Sequence, residues 1–235
     1  MPSIVTGFAT AGLGFHELFL IDSRAAKALL VPGYTVTSLY SMFCFTSREL
    51  ERLTLPSELG EYHVPRLEQV FHRYGSALSY VVEVKMGPGT QRGTMARRVA
   101  SLARAYGVAS RCLVASFDAE FLKRMREADP EIATSFLFDH PVALPAPGQP
   151  APIFPPVDGI GPRRDLITPA LLASAAAAAL SVHPWTVDEE DEIRRLLAER
   201  VASITTNAPD EAVRLRDDQP PHDTGLAFPA DAGPS

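Results

Sequence analysis

A glutamate and a lysine stand two positions apart at the end of a strongly β-forming segment, SYVVEVK. Because alternate residues of a strand point to the same face, Glu83 and Lys85 are predicted to lie on one face. Burying a carboxylate or an ammonium costs free energy unless the group is paired or binds a ligand. Two interpretations follow. The residues form an ion pair that closes the end of a strand, or they form a metal-binding carboxylate beside a lysine that binds phosphate or forms a Schiff base.

The single tryptophan, Trp185, lies two positions after His183 in a segment, Ser181–Val187, that we predict to be a strand. Base rates favour a core position for this aromatic residue, and a wall that contacts substrate is the alternative. The six histidines show no spacing typical of metal ligands. For His183 we expect a buried, hydrogen-bonded imidazole. The sequence contains no nucleophile elbow and no P-loop.

Strand patterns alternate with amphipathic helical patterns between residues 46 and 216. The predicted strands are Leu78–Val84, Arg111–Ser116, Ala133–Phe138, Ser181–Val187 and Ala202–Thr206. The predicted helices cover Pro65–Tyr74, Gly93–Tyr106, Asp118–Ala128, Pro169–Leu180, a segment that begins at Asp188, and Pro209–Leu215. Such repeated units predict an α/β fold with a parallel sheet and outer helices. No glycine-rich phosphate loop follows the first clear strand, which favours a (β/α)₈ TIM-type barrel over a Rossmann fold.

The flanking regions differ in composition from this central domain, residues 46–216. Residues 1–45 form a divergent segment whose apolar runs, Ile4–Phe8, Leu18–Ile21 and Ala28–Val31, predict one to three further barrel strands. The barrel is incomplete at its N-terminus if they do not. Eight prolines between Pro141 and Pro162 predict a long loop. The proline-rich, polar residues 217–235 are expected to be a disordered tail.

The composition is that of a globular, cytoplasmic protein. Of the 235 residues, 46% are hydrophobic and 21% are charged, which is typical of a packed core. The net charge of -6 disfavours binding to nucleic acid. Two cysteines, Cys44 and Cys112, cannot build a disulfide framework. No apolar run is long enough to span a membrane, and no secretory signal is recognised.

Several segments, taken in order, resemble the glycerophosphodiester phosphodiesterase family. HVPRLEQVFHRYG resembles the helix with the motif I-P-T-L-E-E-V, and YVVEVKMG resembles the E-I-K strand. LVASFDAEF resembles the S-S-F-D strand and the helix after it. HPWTVDEED and SITTNAPD resemble the final units with W-T-V-N and G-I-I-T-D-x-P. The similarity covers roughly residues 47–216 in the family's order.

This resemblance implies a (β/α)₈ barrel that hydrolyses glycerophosphodiesters to glycerol 3-phosphate and an alcohol, a reaction of lipid metabolism, with a divalent cation. It implies that Glu83 is a ligand of Mg²⁺ or Ca²⁺ and that Lys85 is a catalytic residue that also binds the phosphate. It places Trp185 in the substrate-binding mouth. Hard cations prefer carboxylate oxygens, and a cation would neutralise charge on the phosphate.

The sequence also departs from the family pattern. The motifs H-R-G, E-x-D and a later H-D of the first three strands are not found, so no general acid or base histidine is identified. Asn207 stands at the aspartate of T-D-x-P, and Asp188 stands at the asparagine of W-T-V-N. We therefore expect a chain that is impaired, truncated at its start, or completed by another chain, including a second copy of itself.

Three functions remain open from the sequence. The first is a hydrolase that acts on a small-molecule phosphodiester. The second is a non-catalytic barrel that binds phosphorylated polyols. The third is a lyase that uses Lys85 as a Schiff-base nucleophile.

Overall fold

The computed structural model describes residues 65–86, 89–145 and 154–218 in full, and the backbone of four further strands. The strands are β1 (Ile4–Thr10), β2 (Phe19–Ile21), β3 (Thr54–Ser57), β4 (Gly60–His63), β5 (Ser79–Lys85), β6 (Cys112–Ser116), β7 (Ala133–Phe138), β8 (Gly159–Pro162) and β9 (Ser181–Val182). The helices are α1 (Leu67–Tyr74), α2 (Arg92–Ala105), α3 (Ala119–Ala128), α4 (Pro169–Ala177), α5 (Glu190–Ala198) and α6 (Pro209–Asp217).

Seven of these strands form one sheet in the order β2-β1-β5-β6-β7-β8-β9. All neighbouring strands from β1 to β9 in that order are parallel, and β2 is antiparallel to β1. Strands β3 and β4 pair separately as an antiparallel hairpin. From β5 onward each strand lies beside the next one in the chain, as in a barrel, whereas a doubly wound sheet reverses its order. The fold is α/β of the TIM-barrel type, as predicted.

Two of the three N-terminal apolar runs lie in strands. Ile4–Phe8 is part of β1, which pairs with β5 from Ile4 opposite Ser79 to Thr10 opposite Lys85. Leu18–Ile21 contains β2, whose antiparallel direction differs from that of a barrel strand. The third run, Ala28–Val31, lies outside the described residues, as do residues 219–235 of the predicted tail.

The prediction of a continuous loop up to Pro162 is wrong at its end. Strand β8 pairs with β7 from Gly159 opposite Ser135 to Pro162 opposite Phe138. The proline occupies the last position of this short strand, where a missing backbone N–H costs least. A Cβ at Gly159 would overlap Ser181 Oγ, so close packing between β8 and β9 requires the glycine.

Of the last two predicted strands, Ser181–Val187 is shorter than expected and Ala202–Thr206 is not a strand. Only Ser181–Val182 of the segment Ser181–Val187 is regular strand, since Pro184 has no N–H to continue the ladder. Residues 202–206 are not a strand, but their backbone runs beside this segment. Ala202 N donates to Val182 O at 2.8 Å, and Thr205 N donates to Pro184 O at 3.0 Å. The segment thus takes the next position along the sheet without forming a regular ladder.

The main core lies between the sheet and helices α1, α2 and α3. On β5 the side chains of Tyr80, Val82 and Val84 are buried in this core, which also contains Phe71 and Phe121. Because strand side chains alternate, Glu83 and Lys85 must point to the opposite side of the sheet, away from these helices. Among the described residues, no helix is long and apolar enough to cross a membrane.

Candidate active site

Glu83 and Lys85, the two residues that the sequence placed on one strand face, form an ion pair at the carboxyl end of β5. Lys85 Nζ donates to Glu83 Oε1, and the glutamate is only 8% exposed. Active sites of barrel enzymes lie at this end of the strands. The two side chains lie on one face, as predicted, and they form the ion pair of the first interpretation. Their roles in binding metal and phosphate stay predictions.

Burial determines the electrostatics of this pair. Desolvation raises the pKa of the Glu83 carboxyl above its usual value, although the charge and the hydrogen bond of Lys85 oppose the shift. A carboxylate in such a position gains more from an added positive charge than a solvated one does, because fewer water molecules screen it. The site thus favours a cation or a proton on Glu83.

Two aromatic side chains lie beside the ion pair. Lys85 Nζ is 5.8 Å from the centroid of the Phe117 ring. The ring of Phe117 meets that of Trp185 edge-on, with 5.4 Å between the centroids. Trp185 Nε1 donates to Gly161 O at 2.6 Å, which orients the indole. Three separate strand ends therefore bring a charged pair and an apolar wall together.

Phe117, which is 44% exposed, was not among the residues predicted to form the site. It directly follows β6, and so lies at the same sheet edge as Lys85. A large apolar residue one position beyond a buried strand was the signal that could have identified it. The Phe117 ring adds exposed apolar surface beside the ion pair.

The turn after β6 is fixed on both sides of this phenyl ring. Ser116 Oγ donates to Val84 O at 2.6 Å and accepts from Asp118 N at 3.1 Å. Asp118 Oδ1 accepts from Phe121 N at 2.8 Å and so caps α3. Its other oxygen lies 2.7 Å from Arg92 Nη2 at the start of α2. The residues on either side of Phe117 are therefore held by bonds to a neighbouring strand and two helices.

His183 is buried and hydrogen-bonded through both ring nitrogens, as predicted. Its Nε2 lies 2.8 Å from Ser181 Oγ, and its Nδ1 lies 2.8 Å from Ser203 Oγ. Ser181 Oγ donates to Asp158 O, so it accepts from Nε2, and Nδ1 accepts from Ser203. Burial lowers the pKa of this imidazole to about 4, which keeps it neutral at physiological pH. These contacts are those of a structural histidine.

The two residues that depart from the family motifs contact each other. Asn207 Nδ2 donates to Asp188 Oδ2 at 2.8 Å, and Asn207 N donates to Asp188 Oδ1 at 2.7 Å. Thr206 Oγ1 donates to the same carboxylate at 3.2 Å. Asp188 follows Trp185 by three residues, so this contact lies beside the site.

The metal-ligating potential of the described residues is limited. Glu83 offers carboxylate oxygens, which suit a hard divalent cation. Within the fully described ranges, no group of three or more His, Cys, Asp or Glu side chains could hold a metal ion. Glu83 therefore offers one ligand, and the described residues do not supply a complete coordination shell.

Comparison with known families decides the classification. Residues 27–211 match the Glycerophosphoryl diester phosphodiesterase family. The chain belongs to this family. The match confirms the resemblance inferred from the ordered motifs, and members of this family generally depend on a divalent metal.

Two curated relatives carry the same enzyme name. The chain is 28% identical over 153 residues to a glycerophosphodiester phosphodiesterase of Bacillus subtilis, with coverage of 63% of this chain and 52% of the relative. It is 23% identical to a glycerophosphodiester phosphodiesterase of Caldanaerobacter subterraneus, with coverage of 73% and 71%. The match thus spans about half the length of the Bacillus relative.

Solved structures support the fold. A crystal structure of a putative glycerophosphoryl diester phosphodiesterase from Silicibacter pomeroyi superposes with a TM-score of 0.70 at 22% identity, covering 92% of this chain and 83% of the other. An Oleispira antarctica phosphodiesterase in complex with the product sn-glycerol-3-phosphate gives a TM-score of 0.68 at 13% identity, covering 91% and 84%. These family structures are TIM barrels.

Proposed function

We propose that the chain is a hydrolase that cleaves glycerophosphodiesters into glycerol 3-phosphate and an alcohol, with a divalent cation, in lipid metabolism. The observation that carries the proposal is the meeting of Glu83 and Lys85 with the aromatic wall at the carboxyl edge of the sheet. The names of the curated relatives and the product found in the Oleispira structure support the substrate class. We assign the activity to the domain formed by residues 46–216.

Lys85 is proposed to bind the phosphate of the substrate. Its ammonium already lies at the site, held by Glu83, so little side-chain entropy is lost when an anion arrives. A fixed positive charge in a poorly solvated site stabilises the negative charge that builds up on the attacked phosphoryl group. In this role Lys85 is a catalytic residue and a substrate-binding residue.

Glu83 is proposed to be one ligand of Mg²⁺ or Ca²⁺. When bound, such a cation would neutralise charge on the phosphate and polarise it. The carboxylate would then lie between two cations, the metal and Lys85, and this stabilises its ionised form against burial. Trp185, with Phe117, is proposed to contact the carbon atoms of the substrate.

The test is the release of choline from glycerophosphocholine by the purified chain, at high enzyme concentration, with Mg²⁺ or Ca²⁺ and with EDTA. We expect metal-dependent release that falls by about 10²-fold or more in Glu83→Gln and in Lys85→Met. Lys123→Met is the matched control, because Lys123 is an exposed lysine on the outer helix α3. Release that does not depend on metal, or is equal in all variants, would contradict the proposal.

A second candidate is a non-catalytic barrel that binds phosphorylated polyols. The sequence favours it because the motifs that supply the catalytic histidines, H-R-G and a later H-D, are not found. Calorimetry with glycerol 3-phosphate separates the two. Binding that is lost in Lys85→Met, without any turnover of the diester, would support the binding protein. Hydrolysis of the diester would exclude the non-catalytic hypothesis.

A further inference from the structure

The backbone around Trp185 is held on one side by the segment that follows β8. Trp185 N donates to Pro162 O at 3.2 Å, and Arg164 N donates to Trp185 O at 2.9 Å. Together with the indole bond to Gly161 O, these contacts fix one edge of the residue. Regular strand ends at Val182, so no continuous ladder extends to the tryptophan.

The other edge of the same segment faces residues 202–207. Thr205 N donates to Pro184 O at 3.0 Å, and Val187 N donates to Thr205 O at 2.9 Å. The Asp188 carboxylate then accepts from Thr206 and twice from Asn207, as described above. Asp188 therefore closes the outer end of an irregular pairing that begins beside the tryptophan.

We infer that Asp188, bonded to Asn207, is a positioning residue that holds the Trp185 indole in the mouth of the site. This rests on the proposed function, because Trp185 is assigned there to substrate contact. A carboxylate that accepts backbone and amide donors forms stronger hydrogen bonds than a neutral acceptor. Without the bonds to Asp188, the segment after Pro184 is held to residues 202–207 by two backbone bonds, Thr205 N to Pro184 O and Val187 N to Thr205 O. The segment can then move on that side.

Exchanging Asp188 and Asn207 tests the contact, because the exchanged pair can form hydrogen bonds between the same two positions. In Asp188→Asn with Asn207→Asp, the amide oxygen at 188 still accepts from the backbone N–H of residue 207 and from Thr206. The amide nitrogen at 188 then donates to the carboxylate at 207. In Asn207→Asp alone, two carboxylates lie within hydrogen-bond distance and repel each other.

Trp185 is the single tryptophan of the chain, so its fluorescence reports on the site without a label. The experiment measures emission maximum, acrylamide quenching and melting temperature, without substrate. The variants are Asn207→Asp, Asp188→Asn and the exchange of both. Asp191→Asn is the matched control, because Asp191 is an exposed aspartate three positions further along in α5.

For Asn207→Asp we expect a red shift of the emission, a higher quenching constant and a melting temperature lower by about 3 °C. Asp188→Asn should change the emission maximum, the quenching constant and the melting temperature in the same direction, but by smaller amounts. The exchange should restore the emission and the quenching constant, and the control should match the wild type. Unchanged emission and quenching in Asn207→Asp, with or without a lower melting temperature, would overturn the inference. So would an exchange variant that does not recover.

If Asn207→Asp does not fold, the exchange variant and Asp188→Asn still decide the question. If the chain hydrolyses glycerophosphocholine, Asn207→Asp should also raise KM more than it lowers kcat. Because fluorescence is read without substrate, an inactive wild-type chain would refute the proposed function and leave this inference intact.

Discussion

Acidification should weaken the fold through His183. The imidazole has a pKa lowered from 6.5 to about 4 by burial, so the unfolded chain binds a proton more readily than the folded chain does. Between these two values the unfolded state carries more protons, and stability falls as pH falls. Above pH 6.5 the histidine is neutral in both states and contributes no pH dependence.

The size of the effect follows from the pKa difference. A shift from 6.5 to about 4, at about 1.4 kcal/mol per unit, corresponds to about 3 kcal/mol of unfolding free energy. Most of this loss should be complete near pH 4.5. For a chain of this size that is a large part of the total stability.

The assay is urea unfolding followed by circular dichroism at several pH values from 7.5 to 4.5. The comparison is His183→Gln, which cannot titrate but retains one donor and one acceptor for Ser181 and Ser203. Other titrating groups, such as Glu83 with its raised pKa, contribute equally to both chains. The difference between the two curves therefore isolates His183.

We expect the wild-type chain to lose about 3 kcal/mol more than the variant over this range. The variant starts from a lower stability at neutral pH, but its curve should be flatter. Parallel curves would refute the reasoning, because they would mean that His183 titrates alike in the folded and unfolded chains.

Two further substitutions test the packing and the turn. Gly161→Ala should lower the free energy of unfolding in urea by about 2 kcal/mol, since the new Cβ overlaps Leu137 Cδ2. Gly107 has φ +66 and open space around it, so Gly107→Ala should lower that free energy by only about 1 kcal/mol. Equal losses in the two variants would contradict the packing argument. Asp118→Ala removes the cap of α3 and the partner of Arg92, and should lower stability by about 1–2 kcal/mol. An unchanged melting temperature in Asp118→Ala would show that neither bond matters.

The parts of the fold that local sequence determines were predictable. SYVVEVK is dense in β-formers and is a strand with Glu83 and Lys85 on one face, as expected, and the predicted strand Arg111–Ser116 contains β6. Alternation alone placed Glu83 and Lys85 together on the side away from the helices. The roles of these residues, and of Trp185, in binding metal and substrate stay predictions.

What the sequence did not reveal depends on contacts between distant segments. Strand β8 consists of GIGP, in which only the isoleucine favours a strand, and its two glycines leave room for side chains of the neighbouring strands β9 and β7. The hydrogen bond between Asp188 and Asn207 joins residues that are 19 positions apart along the chain. The exposure of Phe117 is decided by which side chains surround it, and not by its neighbours in sequence.

The indole of Trp185 donates to a main-chain oxygen, at Gly161, and not to another side chain. No substitution at position 161 can delete that acceptor, so this one bond of the ring does not depend on the side chain of residue 161. Replacing the indole by phenylalanine would leave a half-enclosed carbonyl without a donor, which makes tryptophan specifically suited to this position. Phe117 has no such tie, because its ring carries no polar atom. Under the proposed function, substitutions at Phe117, and not at Trp185, should therefore change which alcohol group the protein accepts.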